Sequence, residues 1–139
     1  MRRRLDRGSA ATETAVMTPL VIVLLVVVAM TGRGVTARMD VDSVADAAAR
    51  AASLARSPTA AQEAAQTTAE ANLGDGRITC ITLDVDVNPT EFAPGGSVTV
   101  TVSCVVELSD LAAGAGIPGS LTLTSTAISG IDLHRGTDP

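Results

Sequence analysis

The chain contains no tryptophan, no tyrosine and no lysine, and Phe92 is its one aromatic residue. Proteins that hold nucleic acid use basic surfaces for phosphates and rings for bases. A chain with formal charge −5 and a single ring has neither, which excludes nucleic acid as a partner class. Histidine occurs once, at His134, and cysteine twice, at Cys80 and Cys104, too few ligands for a zinc site. No G-x-S-x-G, phosphate-binding loop or H-E-x-x-H sequence is present. At 139 residues there is room for one small domain and no large catalytic core. The expectation is a protein with no enzymatic activity, no cofactor, no metal and no small-molecule substrate.

What the chain does have is a membrane-length apolar run near its start. Arg2, Arg3, Arg4 and Arg7 precede Gly8-Ser9 and Ala10-Ala11-Thr12-Glu13, and no charge follows from Thr14 to Gly32. Those residues as a helix span about 28 Å, roughly one hydrocarbon core. Leu20 to Val28 is unbroken Leu, Ile and Val, which together favour insertion by about 3 to 5 kcal/mol. Arginines precede the run while Asp40, Asp42 and Asp46 follow it among Arg33 and Arg38, so the positive-inside bias places the N-terminus in the cytoplasm. A cleaved secretory signal would normally have a shorter apolar core and an A-x-A exit, which is missing around Ala29.

The rest reads as two helices and three strands, an α+β chain. Val41, Val44, Ala45, Ala48, Ala51, Ala52 and Ala55 recur at helical spacing, extending the first helix across residues 9–56, with Gly32 and Gly34 as weak points and Pro19 as the site of a kink. Ser57-Pro58 is a cap followed by proline at the first helical position, and an Ala-rich second helix runs to about Leu73, with Gly74 as a left-handed stop. Alternation then marks Ile81, Leu83, Val85 and Val87 as one strand face, and Val98, Val100, Val102, Cys104, Val106 and Leu108 as another. A third strand covers 121–128 after the glycine-rich 112–119, so that residues 77–135 form a small antiparallel sheet and 136–139 a disordered tail.

These features resemble the TadE-like family of minor pseudopilins of tight-adherence (Flp, type IVb) pilus systems. The carrying residues are Arg7-Gly8-Ser9-Ala10-Ala11-Thr12-Glu13-Thr14-Ala15 ahead of the Pro19-interrupted run, then Val98 to Cys104, Leu121 to Ile128 and Ile131 to Arg135, nearly the whole chain. The resemblance implies a basic leader, residues 1–8, cut by a prepilin peptidase between Gly8 and Ser9. It implies a retained single-pass helix and an extracytoplasmic domain, with Glu13 acting in assembly with other pilin or pseudopilin subunits and the secretion platform. A carboxylate at the edge of a bilayer is costly unless paired, and the new amino terminus of a neighbouring subunit is a natural partner. Thr14, where many type IVb pilins carry Phe or Tyr, and the long extracytoplasmic domain set the chain apart from a major pilin. The competing reading is a cell-surface binding or structural module held by an uncleaved signal anchor.

The cysteines fall on the side expected to leave the cytoplasm, where a disulfide is permitted, and the resemblance points to a Cys80–Cys104 bond. Matching the strand faces puts Val87 opposite Val98, Leu83 opposite Val102 and Ile81 opposite Cys104, so that bond demands a one-residue slip or a β-bulge near Cys80. Asp84, Asp86 and Asn88 imitate the start of a calcium loop, but Pro89 and Gly95 stand where glycine and glutamate are required. Strand alternation alone accounts for them as a solvent face, and His134 reads as a surface residue.

Overall fold

The computed structural model describes residues 7–74, 78–111 and 118–134, with side chains from residue 14 onward. Helix α1 runs from Arg7 to Leu54 and α2 from Pro58 to Gly74. Strands β1 (Thr82–Asn88), β2 (Ser97–Glu107) and β3 (Ser120–Gly130) form one antiparallel sheet in the order β1-β2-β3, and a one-turn helix, α3 (Leu108–Leu111), follows β2. The architecture is α+β, as the change of period along the chain implies. The expected leader, apart from Arg7 and Gly8, and the expected tail lie outside the described residues.

α1 continues through Pro19, Gly32 and Gly34 without interruption. Between the helices the chain turns at Ser57, whose Oγ accepts from the Ala60 N–H at 3.2 Å while its carbonyl accepts from the Ala61 N–H at 2.9 Å. The first bond satisfies one of the orphan amides of the first turn, and the second is the helix's first i→i−4 bond. The left-handed stop expected at Gly74 is not there: Gly74 is the last helical residue, and the positive-φ glycines among the described residues are Gly95 and Gly119.

The core is built from alanine on the helices and valine on the sheet. Ala45, Ala48, Ala49 and Ala52 of α1 and Ala61, Ala65 and Ala69 of α2 are fully buried or nearly so, which brings the two backbones close together. Val98, Val100, Val102 and Val106 on β2 face this surface with essentially no exposure, each stabilising the fold by about 1.5 to 3 kcal/mol. α1 is covered by α2 and by the sheet. This wraps its buried arc beyond the single stripe seen in sequence, adding Ala37, Ala49 and Ser53 while leaving Ala51 and Ala55 half-buried. Ser53 is held by a bond from the Ser129 hydroxyl at 3.1 Å.

The strands run alongside α1. Ser129, next to Ser53 near the helix end, pairs with Val98, whereas Val106 at the other end of β2 lies with Ala37 and Asp40 around one cavity. Sixteen residues of helix and eight of strand each cover about 25 Å, so the two spans match. The outer sheet face is hydroxyl-rich, with Thr101 bonded to Thr126 at 3.1 Å and Ser103 to Thr124 at 3.2 Å, and Ile128 exposed beside them.

The register differs from the one read from strand faces. Val87 pairs with Val100, Val85 with Val102 and Leu83 with Cys104, two residues away from the expected match. The cause lies in the β1–β2 connection. Ser97 and Val98 pair with Gly130 and Ser129 of β3 and have no partner on β1, and Gly95 and Gly96 exchange backbone bonds with Ile131. β1 therefore joins β2 two residues later than a symmetric hairpin would. A shift of two keeps the same face inward, which is why burial still alternates as expected on Leu83, Val85 and Val87. Ile81 is the exception, 57% exposed. Leu108 also leaves the strand face on which sequence placed it, because β2 ends at Glu107 and α3 begins.

Candidate functional site

Gly8 and Ser9 lie in the first turn of α1, and Glu13 follows along the same helix, about 7.5 Å beyond Gly8 at helical rise. The side chains of residues 7–13 lie outside the described residues. The site is therefore a backbone arrangement: a small-residue junction, a carboxylate-bearing position, then an apolar rod.

The rod is bare. From Thr14 through Arg33 every residue is exposed, and the apolar window reaches a mean hydropathy of 2.5 with none of it buried by the rest of the chain. Among the described residues it is the one helix long and apolar enough to cross a membrane. Exposed aliphatic surface of this extent is stable only if lipid or protein covers it. The few polar groups in and next to it are internally satisfied. Thr18 Oγ1 donates to the Thr14 carbonyl at 2.7 Å, Thr31 Oγ1 to the Val27 carbonyl at 2.9 Å and Thr36 Oγ1 to the Gly32 carbonyl at 3.1 Å. The Thr18 and Thr31 hydroxyls, within the run, would thus enter an apolar medium with their donors occupied, removing a cost of a few kcal/mol each.

Far along the chain, Cys80 and Cys104 are joined, with Cα atoms 5.4 Å apart. Cys104 is fully buried on β2, and Cys80 sits before β1 starts. The Ile81 N–H donates to the Val105 carbonyl at 2.7 Å while Thr82 also pairs with Val105. Two residues thus oppose one, the arrangement of a β-bulge. The resulting turn swings Ile81 outward and lets Cys80 meet Cys104 even though Leu83 holds the paired position.

The other polar residues singled out in sequence serve local structure. Asp84 and Asp86 point to solvent on β1. Asn88 caps the following turn, its Oδ1 accepting from the Thr90 N–H at 3.0 Å and from the Thr90 hydroxyl. The His134 N–H donates to Asp132 Oδ1 at 3.0 Å, and its ring, 93% exposed, stands 3.6 Å from the same carboxylate. Sequence reasoning missed Gln62, whose amide bonds to the backbone of β1; nothing in its local pattern marks it off from Gln66, which bonds Glu70 on its own helix.

No curated protein and no solved structure matches the chain. The family model described as TadE-like protein matches residues 8–50, and the strand segments that entered the resemblance lie beyond that match. The matched stretch carries the Gly8-Ser9 junction, Glu13, the apolar run and most of the buried arc of α1, and over residues 8–50 the chain is similar to TadE-like proteins.

Proposed function

We propose that the protein is a membrane-anchored, minor pseudopilin-like structural subunit of a tight-adherence pilus assembly system. In this reading a prepilin peptidase cuts after Gly8 on the cytoplasmic side, the new N-terminal Ser9 begins a retained transmembrane helix, and the α+β domain stands outside the cytoplasmic membrane. The chain is a substrate of an enzyme and is not itself one. Its partners are membrane lipid, the peptidase, other pilin or pseudopilin subunits and the secretion platform.

The observation that carries this reading is the TadE-like match beginning at Gly8 and running through the bare apolar rod. A helix with one end fully exposed and the other packed under a domain has the form of an anchor continuous with its cargo. Cutting at the far end of such a helix removes the basic leader and leaves the fold untouched, because the buried packing begins at Ala37.

The deciding experiment is mass spectrometry of protein extracted from its native membrane. The expected mature chain starts at Ser9 and keeps residues 14–32, and Gly8→Leu leaves the leader in place because a bulky side chain replaces the small junction residue. An intact start at Met1 or Arg2 in the unmodified protein favours the uncleaved signal anchor. A start beyond Gly32 overturns the anchored reading altogether.

A further inference from the structure

Between α1, the approach to β1 and α3 lies a cavity of about 310 Å³. Arg33 and Asp40 of α1 enter it from the same helix face, seven residues apart, and Asp110 enters from α3, while Ile78, Val106 and Leu111 supply apolar wall. Two observations mark it as a binding site. Asp40 Oδ2 is buried there and makes no hydrogen bond. A carboxyl oxygen withdrawn from water without a donor is costly, and a donor supplied from outside relieves that cost. Arg33, moreover, forms no ion pair with Asp40 or Asp110 although all three border the same space. A cavity that holds charges of opposite sign apart is complementary to a ligand that carries both.

Position narrows the ligand. Arg33 is the first charge after the apolar run, and Asp40 stands about 10 Å farther along α1. The headgroup layer on one side of a bilayer is roughly 5 to 8 Å deep. The cavity therefore opens at headgroup level and rises just above it. We propose that it seats the headgroup of an aminophospholipid of the ethanolamine class, with phosphate on the Arg33 guanidinium and the primary ammonium donating to Asp40, with Asp110 as second acceptor. This rests on the anchored reading given above. The bound headgroup fixes the depth and rotation of the domain on the bilayer, which the smooth apolar rod cannot do.

The test uses the full-length chain in detergent micelles offered equal amounts of phosphatidylethanolamine and phosphatidylglycerol, with retained lipid read by native mass spectrometry. Ethanolamine lipid is expected to be retained in preference. Asp40→Asn should lower that retention about tenfold, the loss of one charge-assisted bond, while leaving the glycerol lipid unchanged. Arg33→Gln should weaken both lipids. Asp110→Asn, at an exposed position, gives the same selective loss in smaller degree and covers the case in which Asp40→Asn fails to fold, with disulfide formation as the folding check. Equal retention of the two lipids, or ethanolamine retention indifferent to both aspartate changes, overturns the proposal. Competition by soluble glycerophosphoethanolamine as effective as the lipid would assign the site to a free zwitterion and overturn the lipid assignment. Failure of the anchored reading shows separately, as a chain that leaves the membrane fraction without detergent.

Discussion

The side-chain amide of Gln62 in α2 occupies the free edge of β1 at Val87, its Oε1 accepting from the Val87 N–H at 3.1 Å, while its Nε2 donates to the Val85 carbonyl at 2.7 Å. One primary amide thus supplies the acceptor and donor that a fourth strand would have offered. Both contacts are partly buried, so the backbone groups depend on it. Gln62→Ala is expected to destabilise the domain by about 1 to 3 kcal/mol, the cost of leaving such groups unmade. Gln62→Glu should be no better, since it keeps an acceptor for Val87 but sets a carboxylate oxygen against the Val85 carbonyl. Urea unfolding of the two variants beside the parent chain checks both.

The disulfide should matter unequally at its two ends. Loss of the bond through Cys80→Ser is expected to cost about 2 to 5 kcal/mol. Cys104→Ser should cost more than Cys80→Ser, because position 104 is fully buried and a serine there withdraws a hydroxyl from water, whereas position 80 is only half-buried. Thermal unfolding of both variants, with parent protein from its native membrane showing no alkylatable thiol, tests the pair. Equal losses would show that loop constraint alone accounts for the effect.

Two glycines in this chain make opposite demands on a methyl group. A Cβ at Gly96 would overlap the Glu91 carbonyl oxygen and meet the Ala93 carbonyl oxygen at 3.0 Å, both backbone atoms that cannot rotate away. Gly96 also accepts from the Ile131 N–H, so displacing it opens the end of the sheet. Gly96→Ala is expected to cost about 1 to 3 kcal/mol in unfolding free energy. Gly130→Ala, with nothing within 4 Å, should be close to neutral and serves as the control.

Glu13 is expected to act in assembly and not in insertion. Glu13→Ala removes a carboxylate that is costly near hydrocarbon, so membrane fractionation should find at least as much inserted protein. Co-purification with pilus subunits and piliation should fall. Normal piliation with unchanged partners would assign Glu13 to the headgroup layer with no assembly role.

Local chemistry carried most of the fold. Ser57-Pro58 announces the second helix because a cap and a proline fit only at a helix start, and alternation announces β1 and β2 because one face of each is buried. What sequence left hidden depends on atoms distant in the chain. The two-residue register shift follows from Gly95 and Gly96 pairing with Ile131, and the role of Gln62 from a strand more than twenty residues away. At the junction the residue types alone were legible, since the roles proposed for Gly8, Ser9 and Glu13 depend on partners that the chain does not contain. The Asp40 cavity was not legible at all, because α1, α3 and the approach to β1 meet there only after folding.

Strand polarity ties the sheet to the anchor. β3 runs from Leu121, paired with Val106 near Ala37, to Ser129 beside Ser53, and so points the same way as α1. It is an outer strand of eleven residues without charge or proline, the type that invites edge-to-edge pairing. Copies inserted in one bilayer in one sense would all carry β3 pointing away from it, and an antiparallel partner strand requires a copy turned upside down. The bilayer would then do for β3 what Gln62 does for β1, and detergent extraction would lift that protection from one edge of the sheet while leaving the other guarded.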